Sequence, residues 1–224
     1  MSNPVVLVHG FGTSSDRTWR DNGWIDLLQD AGREVVAIDL LGHGRSDKPH
    51  DPAAYDDLEA LVAAQLPDGP IDGVGFSLGA RVLLTLATET PERFASLTLL
   101  GVGTNLLVTE GSGLIVDAIE GRGDPANPVV QYFAGLAAQP DVDRAALAAC
   151  LRSARPALTP ERLARATVPV RVVLGDQDFA GPGEPLVELL PDATLTMLPG
   201  VDHFATPKSF AAIDAVLEGL GAVP

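Results

Sequence analysis

The fold is decided by the stretch Ile71-Asp72-Gly73-Val74-Gly75-Phe76-Ser77-Leu78-Gly79-Ala80-Arg81. Its first half is an apolar run typical of a buried strand, and its second half opens a helical stretch that continues to Glu89. The Gly-x-Ser-x-Gly pattern between them leaves room for a sharp strand-to-helix turn, because its glycines carry no Cβ. Such a turn places the Ser77 hydroxyl at a helix N-terminus, where free amides favour developing negative charge. A serine that caps an ordinary tight turn is the alternative interpretation.

Apolar runs that predict strands alternate with helical stretches along most of the chain. The predicted strands are Val5–Val8, Glu34–Ile38, Ile71–Phe76, Ser96–Leu100, Val168–Leu174 and Thr194–Leu198. The predicted helices are Trp19–Ala31, Ala53–Gln65, Leu78–Glu89, Glu184–Leu190 and Ser209–Leu220. Because the strand runs are apolar throughout rather than alternating, they indicate a parallel sheet buried on both faces. The predicted fold class is therefore α/β, with helices flanking a mostly parallel sheet.

Residues 104–166 interrupt this alternation. They contain no convincing strand but three helical stretches, Leu114–Glu120, Val129–Ala138 and Asp143–Ala154. The segment is too long for a plain loop. We therefore expect residues 1–103 and 167–224 to form the core, with residues 104–166 inserted as a short helical cap over the carboxyl edge of the sheet. The alternative is a peripheral helical decoration that takes no part in substrate binding.

The composition limits the classes of partner. The 224 residues are 46% hydrophobic and carry a formal net charge of −15, which suits one sizeable core with an acidic surface. Such a surface repels phosphate backbones and anionic lipid, so we expect a small-molecule substrate and neither nucleic acid nor membrane as a partner. The N-terminus lacks the features of a signal peptide and no run of 18 apolar residues occurs, so a cytoplasmic location is expected. Nothing in the sequence specifies the oligomeric state.

No sequence signal indicates a cofactor or a metal. The single cysteine, Cys150, excludes an intrachain disulfide, and no Cys/His zinc spacing occurs. A Gly-x-Gly-x-x-Ala match begins at Gly121, but it contains Pro125 and follows no predicted strand. It therefore does not predict a dinucleotide site.

Several motifs together make the chain resemble the α/β-hydrolase family. His9-Gly10-Phe11-Gly12 follows the first predicted strand, Gly42-His43-Gly44-Arg45-Ser46-Asp47 follows the second, and the serine turn and C-terminal acid and histidine segments come next. The resemblance extends from Val5 to about Leu220 and implies an α/β-hydrolase fold. Family members usually have two strands before the His-Gly-x-Gly loop, so a shorter sheet of about six strands is expected here. The serine at the turn argues against the dehalogenases and epoxide hydrolases of this fold, which use aspartate.

The histidine that the resemblance implies as a base is His203. A serine hydroxyl needs an adjacent base, and the family order along the chain is serine, acid, histidine. Of the four histidines only His203 follows Ser77, and it lies just beyond a predicted strand, at the same edge of the sheet. His9 and His43 stand in glycine turns and are expected to make structural hydrogen bonds, whereas His50 is expected in an exposed loop.

Two carboxylates compete as the group that orients this histidine. Asp176 and Asp178 both follow the fifth predicted strand. The family pattern Gly-x-x-Asp with a proline four residues later matches Gly175, Asp178 and Pro182, so the resemblance favours Asp178. Asp176 is then expected to brace the loop, and Asp202 to face solvent.

The resemblance also implies an oxyanion hole and a class of reaction. The backbone N–H groups of Phe11 and Leu78 would bind the oxyanion, and the Phe11 side chain would line the substrate pocket. The leading hypothesis is a serine hydrolase that cleaves a small carboxylic ester or thioester through an acyl-enzyme on a Ser77–His203–Asp178 triad.

Two rival functions remain open at this point. The turn also resembles that of the menaquinone-pathway synthase, a lyase that eliminates pyruvate and likewise has an arginine four residues after the serine. In that interpretation Arg81 would hold a substrate carboxylate, whereas the simpler reading is a surface residue paired with Asp or Glu. The third hypothesis is a non-catalytic small-molecule binder on the same fold.

Overall fold

A six-stranded sheet forms the centre of the part of the chain that the structure describes. The computed structural model describes residues 2–108, 113–153 and 155–222. All neighbouring strands run parallel, in the order β2-β1-β3-β4-β5-β6, which confirms the predicted α/β class and parallel sheet. The strands, each within two residues of its predicted bounds, are β1 (Val5–Val8), β2 (Val35–Ile38), β3 (Ile71–Phe76), β4 (Phe94–Leu100), β5 (Val170–Gly175) and β6 (Ala193–Leu198).

Helices cover both faces of the sheet. In the described residues the α-helices are α1 (Trp24–Asp30), α2 (Leu58–Ala63), α3 (Leu78–Glu89), α4 (Gly113–Ile119), α5 (Pro128–Ala137), α6 (Arg144–Arg152), α7 (Pro160–Leu163), α8 (Glu184–Glu188) and α9 (Phe210–Gly219). Alternate side chains of β1 enter two separate cores. Val5 and Leu7 pack with α1 and α9, whereas Val6 and Val8 pack on the face that α2, α3 and α8 cover.

Two predicted helices are interrupted, so these predictions were wrong in their extent. Within Trp19–Ala31, Gly23 adopts a φ of 79° and separates α1 from a five-residue helical turn of π type at Asp16–Arg20. Within Ala53–Gln65, the Asp57 carboxylate accepts a hydrogen bond from the N–H of Ala60 and starts α2 afresh. A left-handed glycine and a capping aspartate therefore outweigh the apolar periodicity.

The segment 104–166 is helical in its described part, where it contains no strand. Helices α4, α5 and α6 correspond to the three predicted stretches, although Ala154, the predicted end of the third, lies outside the described residues. The short helix α7 was not predicted. Two small apolar clusters, one around Ile119 and Leu147 and one around Ala118 and Phe133, both pack against Phe11. The segment therefore rests on the loop that follows β1.

The order of the strands creates a crevice at the carboxyl ends of β1 and β3. The chain passes from β1 to β2 on one side and then places β3 on the other side of β1. Ligands of α/β proteins bind at such a reversal of strand order. Here α3 starts very close to β1, since a Cβ added at Gly79 would lie 2.2 Å from the carbonyl oxygen of Val8.

Two buried histidines fix the loops around this crevice. The His9 ring bridges the loops after β1 and β2, because its Nδ1–H donates to the Gly10 carbonyl (2.7 Å) and its Nε2 accepts from the N–H of Leu40 (3.0 Å). The Nδ1–H of His43 donates to the Leu41 carbonyl (2.9 Å). Burial lowers the pKa of both imidazoles, that of His43 to about 3. Both rings are therefore neutral at pH 7.

Gly79 and Gly135 provide a matched test of the close approach. Gly79→Ala should lower the free energy of unfolding by about 3 kcal/mol or more, because the new Cβ collides with backbone rather than with a movable side chain. Gly135 lies in α5 with nothing within 4 Å of an added Cβ, so Gly135→Ala should raise stability by up to about 1 kcal/mol. Urea unfolding followed by circular dichroism measures both. A Gly79→Ala protein as stable as the unmodified one would contradict the described approach of α3 to β1.

The neutral His43 predicts a loss of stability in acid. Its pKa is lower in the folded protein than the ordinary 6.5, so the unfolded chain binds the extra proton below that pH. The stabilisation is complete above about pH 6.5 and is lost as pH falls, by up to about 1.4 kcal/mol per pH unit. His43→Asn keeps a donor for Leu41 but cannot titrate, so the slope of unfolding free energy against pH should flatten between about pH 6 and 4. His50→Asn removes an exposed imidazole as the control; equal slopes in the two variants would refute the prediction.

Candidate active site

Ser77 stands in a strained turn between β3 and α3. Its φ of 52° and ψ of −111° make it the single non-glycine residue with positive φ in the described parts of the chain. Such a conformation costs about 1–3 kcal/mol and persists only where the surroundings hold it. The Ser77 N–H donates to the Leu100 carbonyl (2.9 Å). At Gly75 an added Cβ would lie 2.6 Å from the backbone of Ala80, so this position of the turn requires glycine.

The structure brings His203 and Asp178 to this serine. The Nε2 atom of His203 lies 3.1 Å from Ser77 Oγ, and its Nδ1 lies 2.9 and 3.0 Å from the two carboxylate oxygens of Asp178. The Asp178 side chain is fully buried, and it also accepts a hydrogen bond from the N–H of Ala180 (2.8 Å). The three side chains therefore form one continuous hydrogen-bonded chain.

This arrangement suits proton transfer at the serine. The carboxylate can only accept, so Nδ1 carries the imidazole proton and Nε2 presents a lone pair to the Ser77 hydroxyl. Two phenyl rings flank the imidazole, with centroid distances of 4.9 Å to Phe76 and 4.3 Å to Phe179. The rings limit how the imidazole can turn, so it is held in the orientation that faces Ser77.

The other candidate carboxylates and His50 make different contacts. Asp176 accepts a hydrogen bond from the N–H of Gly200 (2.8 Å) and so links the loops after β5 and β6. Asp202 is exposed and caps the turn that follows it. His50 is exposed and contacts Asp143 (2.9 Å).

The loop after β1 passes directly beside the serine. A Cβ added at Gly10 would lie 3.3 Å from the Cβ of Ser77. Leu78 is the first residue of α3, so its N–H has no partner inside the helix. Phe11 and Leu78 both line the cavity that Ser77 and His203 face. An oxyanion hole needs N–H donors beside the serine, and the assignment of this role to the N–H groups of Phe11 and Leu78 stays a prediction.

A cavity of about 480 Å³ lies above Ser77. This volume is in the range of small-molecule sites. Its aromatic lining comprises Phe11, Phe76, Tyr132, Phe133, Phe179 and Phe204. The rings of Tyr132 and Phe204 stack at 3.4 Å, which joins the segment 104–166 to the loop after β6. Sequence reasoning singled out Phe11 alone, because contacts between such distant segments leave no local pattern.

Four basic side chains also line this cavity, namely Arg17, Arg81, Arg155 and Lys208. None of the described lining residues is Asp or Glu. Arg17 forms an ion pair with Asp141. Arg81 was predicted as a substrate-binding candidate, whereas the other three were not, since nothing in their local sequence distinguishes them from surface cations.

The described residues hold no group of three or more His, Cys, Asp and Glu side chains placed to bind a metal ion. Within the same residues, no helix has the length and apolar character needed to cross a membrane.

Two curated relatives are similar to part of the chain. A 2-hydroxy-6-oxo-2,4-heptadienoate hydrolase of Pseudomonas putida is 34% identical over 145 residues, which cover 59% of this chain and 49% of that hydrolase. A pimeloyl-(acyl-carrier protein) methyl ester esterase of Methylococcus capsulatus is 42% identical over 109 residues, which cover 47% of this chain and 39% of that esterase. The chain thus spans half or less of the length of these two relatives.

The solved structures extend the similarity to the whole chain. The 2-hydroxy-6-oxo-6-phenylhexa-2,4-dienoate hydrolase of Rhodococcus sp. strain RHA1 superposes with a TM-score of 0.72 at 25% identity, covering 99% of this chain and 91% of that one. The family model of the alpha/beta hydrolase fold matches residues 3–141, which is more than half of the sequence. These matches confirm the resemblance found in the motifs: the chain belongs to the alpha/beta hydrolase fold family.

Proposed function

We propose that this protein is a serine hydrolase that cleaves a small carboxylic ester or thioester through an acyl-enzyme on Ser77. The observation that carries the proposal is the 3.1 Å contact between His203 Nε2 and Ser77 Oγ, with Asp178 behind the imidazole. The strained backbone of Ser77 and the adjoining cavity support it, because both place the hydroxyl where a substrate carbonyl can approach.

The reaction has two steps. Ser77 Oγ attacks the carbonyl carbon while His203 Nε2 accepts the hydroxyl proton, and the N–H groups of Phe11 and Leu78 donate to the oxyanion. The imidazolium then protonates the leaving alcohol or thiol, which leaves an acyl group on Ser77. In the second step His203 removes a proton from water, the hydroxide attacks the acyl carbon, and Ser77 recovers its proton as the acid is released.

The relatives support a hydrolytic reaction. One is named a hydrolase and the other a methyl ester esterase, which suits an ester substrate for this chain. The segment 104–166 fits the role of a cap, since Tyr132, Phe133 and Leu136 of α5 line the cavity above Ser77. In this role the segment shapes the acyl-binding space and limits the access of water.

One observation favours a second candidate function. Arg81 lines the cavity one helical turn after Ser77, as the resemblance to the pyruvate-eliminating lyase requires. In that reaction Ser77 and His203 act together as the base, and Arg81 holds a substrate carboxylate. Release of pyruvate from the menaquinone-pathway intermediate, together with inertness toward esters, would favour the lyase.

Ser77→Ala tests the nucleophile. The unmodified protein should hydrolyse p-nitrophenyl esters of short acids and become labelled by a fluorophosphonate, and the variant should lose both, because no other hydroxyl lies against His203 Nε2 in the described residues. Activity is followed by nitrophenolate release, and labelling by intact mass. A protein that is never labelled would match the non-catalytic binder instead.

Asp178→Asn and Asp176→Asn separate the two neighbouring carboxylates. Asp178→Asn should lower kcat by about 10⁴-fold, because an amide at this position no longer fixes the reactive imidazole tautomer. Asp176→Asn should change kcat by less than about threefold, since its carboxylate braces a loop without contacting the imidazole. Both variants keep the shape of the side chain. Comparable losses in the two would contradict the assignment of Asp178.

A further inference from the structure

The charges around the cavity are opposite in sign to those of the whole protein. The chain has 30 acidic and 15 basic residues, yet the described cavity lining has four basic side chains and no carboxylate. One of the four, Arg17, is neutralised by Asp141, and another, Lys208, is exposed to solvent. Arg81 and Arg155 remain as partly buried cations.

Neither Arg81 nor Arg155 has an ion-pair partner among the residues that the structure describes. In the described parts of the chain, no carboxylate oxygen lies within the 4.0 Å of an ion pair with either guanidinium. Arg81 donates through Nη2 to the Pro156 carbonyl. Arg155 donates through Nη2 to the carbonyl (2.7 Å) and the sulfur (3.1 Å) of Cys150. A guanidinium has five N–H donors, so each retains donors beyond those that the described bonds use.

The two guanidinium groups also lie close enough to repel each other. Burial, followed by the charge of Arg155, lowers the pKa of Arg81. Glu59 is a carboxylate near both, but it stands outside ion-pair distance, and burial raises its pKa. Arginine stays charged at neutral pH. Glu59 offsets part of this repulsion from beyond ion-pair distance, and a bound anion between the two guanidinium groups would relieve the like-charge contact further.

We propose that Arg81 and Arg155 form a subsite for a carboxylate of the substrate, so that the esters this protein cleaves also carry a carboxylate group. The inference rests on the proposed hydrolase function and names its substrate class. Arg81 lies one helical turn after Ser77 on α3, a rise of about 6 Å. The carboxylate therefore lies a few carbon atoms from the scissile carbonyl. Arg81 belongs to the core and Arg155 to the segment 104–166, so the anion bridges the two.

Matched mono- and diesters test this subsite. Monomethyl succinate, glutarate and adipate carry the carboxylate on the acyl side, and 4-acetoxybutanoate carries it on the alcohol side; the corresponding dimethyl esters and methyl 4-acetoxybutanoate are neutral. In at least one pair, kcat/KM should favour the anionic ester by about 10-fold or more, as expected for a charged hydrogen-bonded pair. Hydrolysis is followed by titration in a pH-stat.

Single substitutions assign the preference to the two arginines. Arg81→Gln and Arg155→Gln should each reduce the anionic-to-neutral ratio of kcat/KM by about 10-fold, because only the anionic ester uses the two guanidinium groups as a counter-charge. Arg165→Gln, on an exposed surface outside the cavity, is the control and should keep the ratio. An equal fall in Lys208→Gln would show a diffuse potential instead of a subsite and would overturn the proposal.

A binding measurement keeps the proposal testable if an arginine variant fails to fold. In the Ser77→Ala protein, calorimetry should show the preferred monoester binding at least about 10-fold more tightly than its diester. Hydrolysis of neutral and anionic esters at equal kcat/KM would overturn the carboxylate subsite and leave the hydrolase function standing. Failure to cleave any ester, together with failure of fluorophosphonate labelling, would refute the hydrolase function and this substrate class with it.

Discussion

The site depends on one backbone constraint, the strained positive-φ conformation of Ser77 between β3 and α3. The chain can turn this sharply because Gly75 and Gly79 let α3 approach the backbone of β3 and β1 at distances that any Cβ would block. The Ser77 N–H is bonded to β4, and α3 is buried in the larger core. The strain at one residue is thus held by packing on either side, and it directs the hydroxyl into the cavity.

Another glycine, Gly101, explains how a distant histidine reaches that hydroxyl. Asp178 and His203 follow β5 and β6, which are neighbours, but β4 lies between them and β3. Gly101, at the carboxyl end of β4, leaves this path open, since a Cβ there would lie 3.2 Å from the His203 ring. The imidazole crosses above β4 and is then fixed by Phe76 and Phe179. The parallel order of the strands brings the loops to one edge, and the missing side chain at this position lets them meet.

Those parts of the fold and of the candidate site that leave a local pattern in the sequence could be predicted. Strands of the parallel sheet are continuous apolar runs, so all six were found and the fold class is confirmed. Ser77, Asp178 and His203 were chosen from short motifs and family order, and the structure brings them into contact, while their catalytic roles stay predictions. Arg155 and Tyr132 reach the cavity through tertiary packing of the segment 104–166, and no spacing or composition in the sequence reports such packing.

The charge distribution gives the arginine pair its physical significance. An anionic ester approaching a protein of net charge −15 meets repulsion that acts mainly through solvent. At physiological salt, exposed charges are screened over about 8 Å, whereas partly buried charges are screened much less. Salt therefore weakens the repulsion between the acidic surface and the anionic ester, whereas the attraction of Arg81 and Arg155 for that ester persists near the serine. The guanidinium groups of Arg81 and Arg155 can then bind an anion that the rest of the surface repels, because the geometry of a guanidinium matches that of a carboxylate at contact.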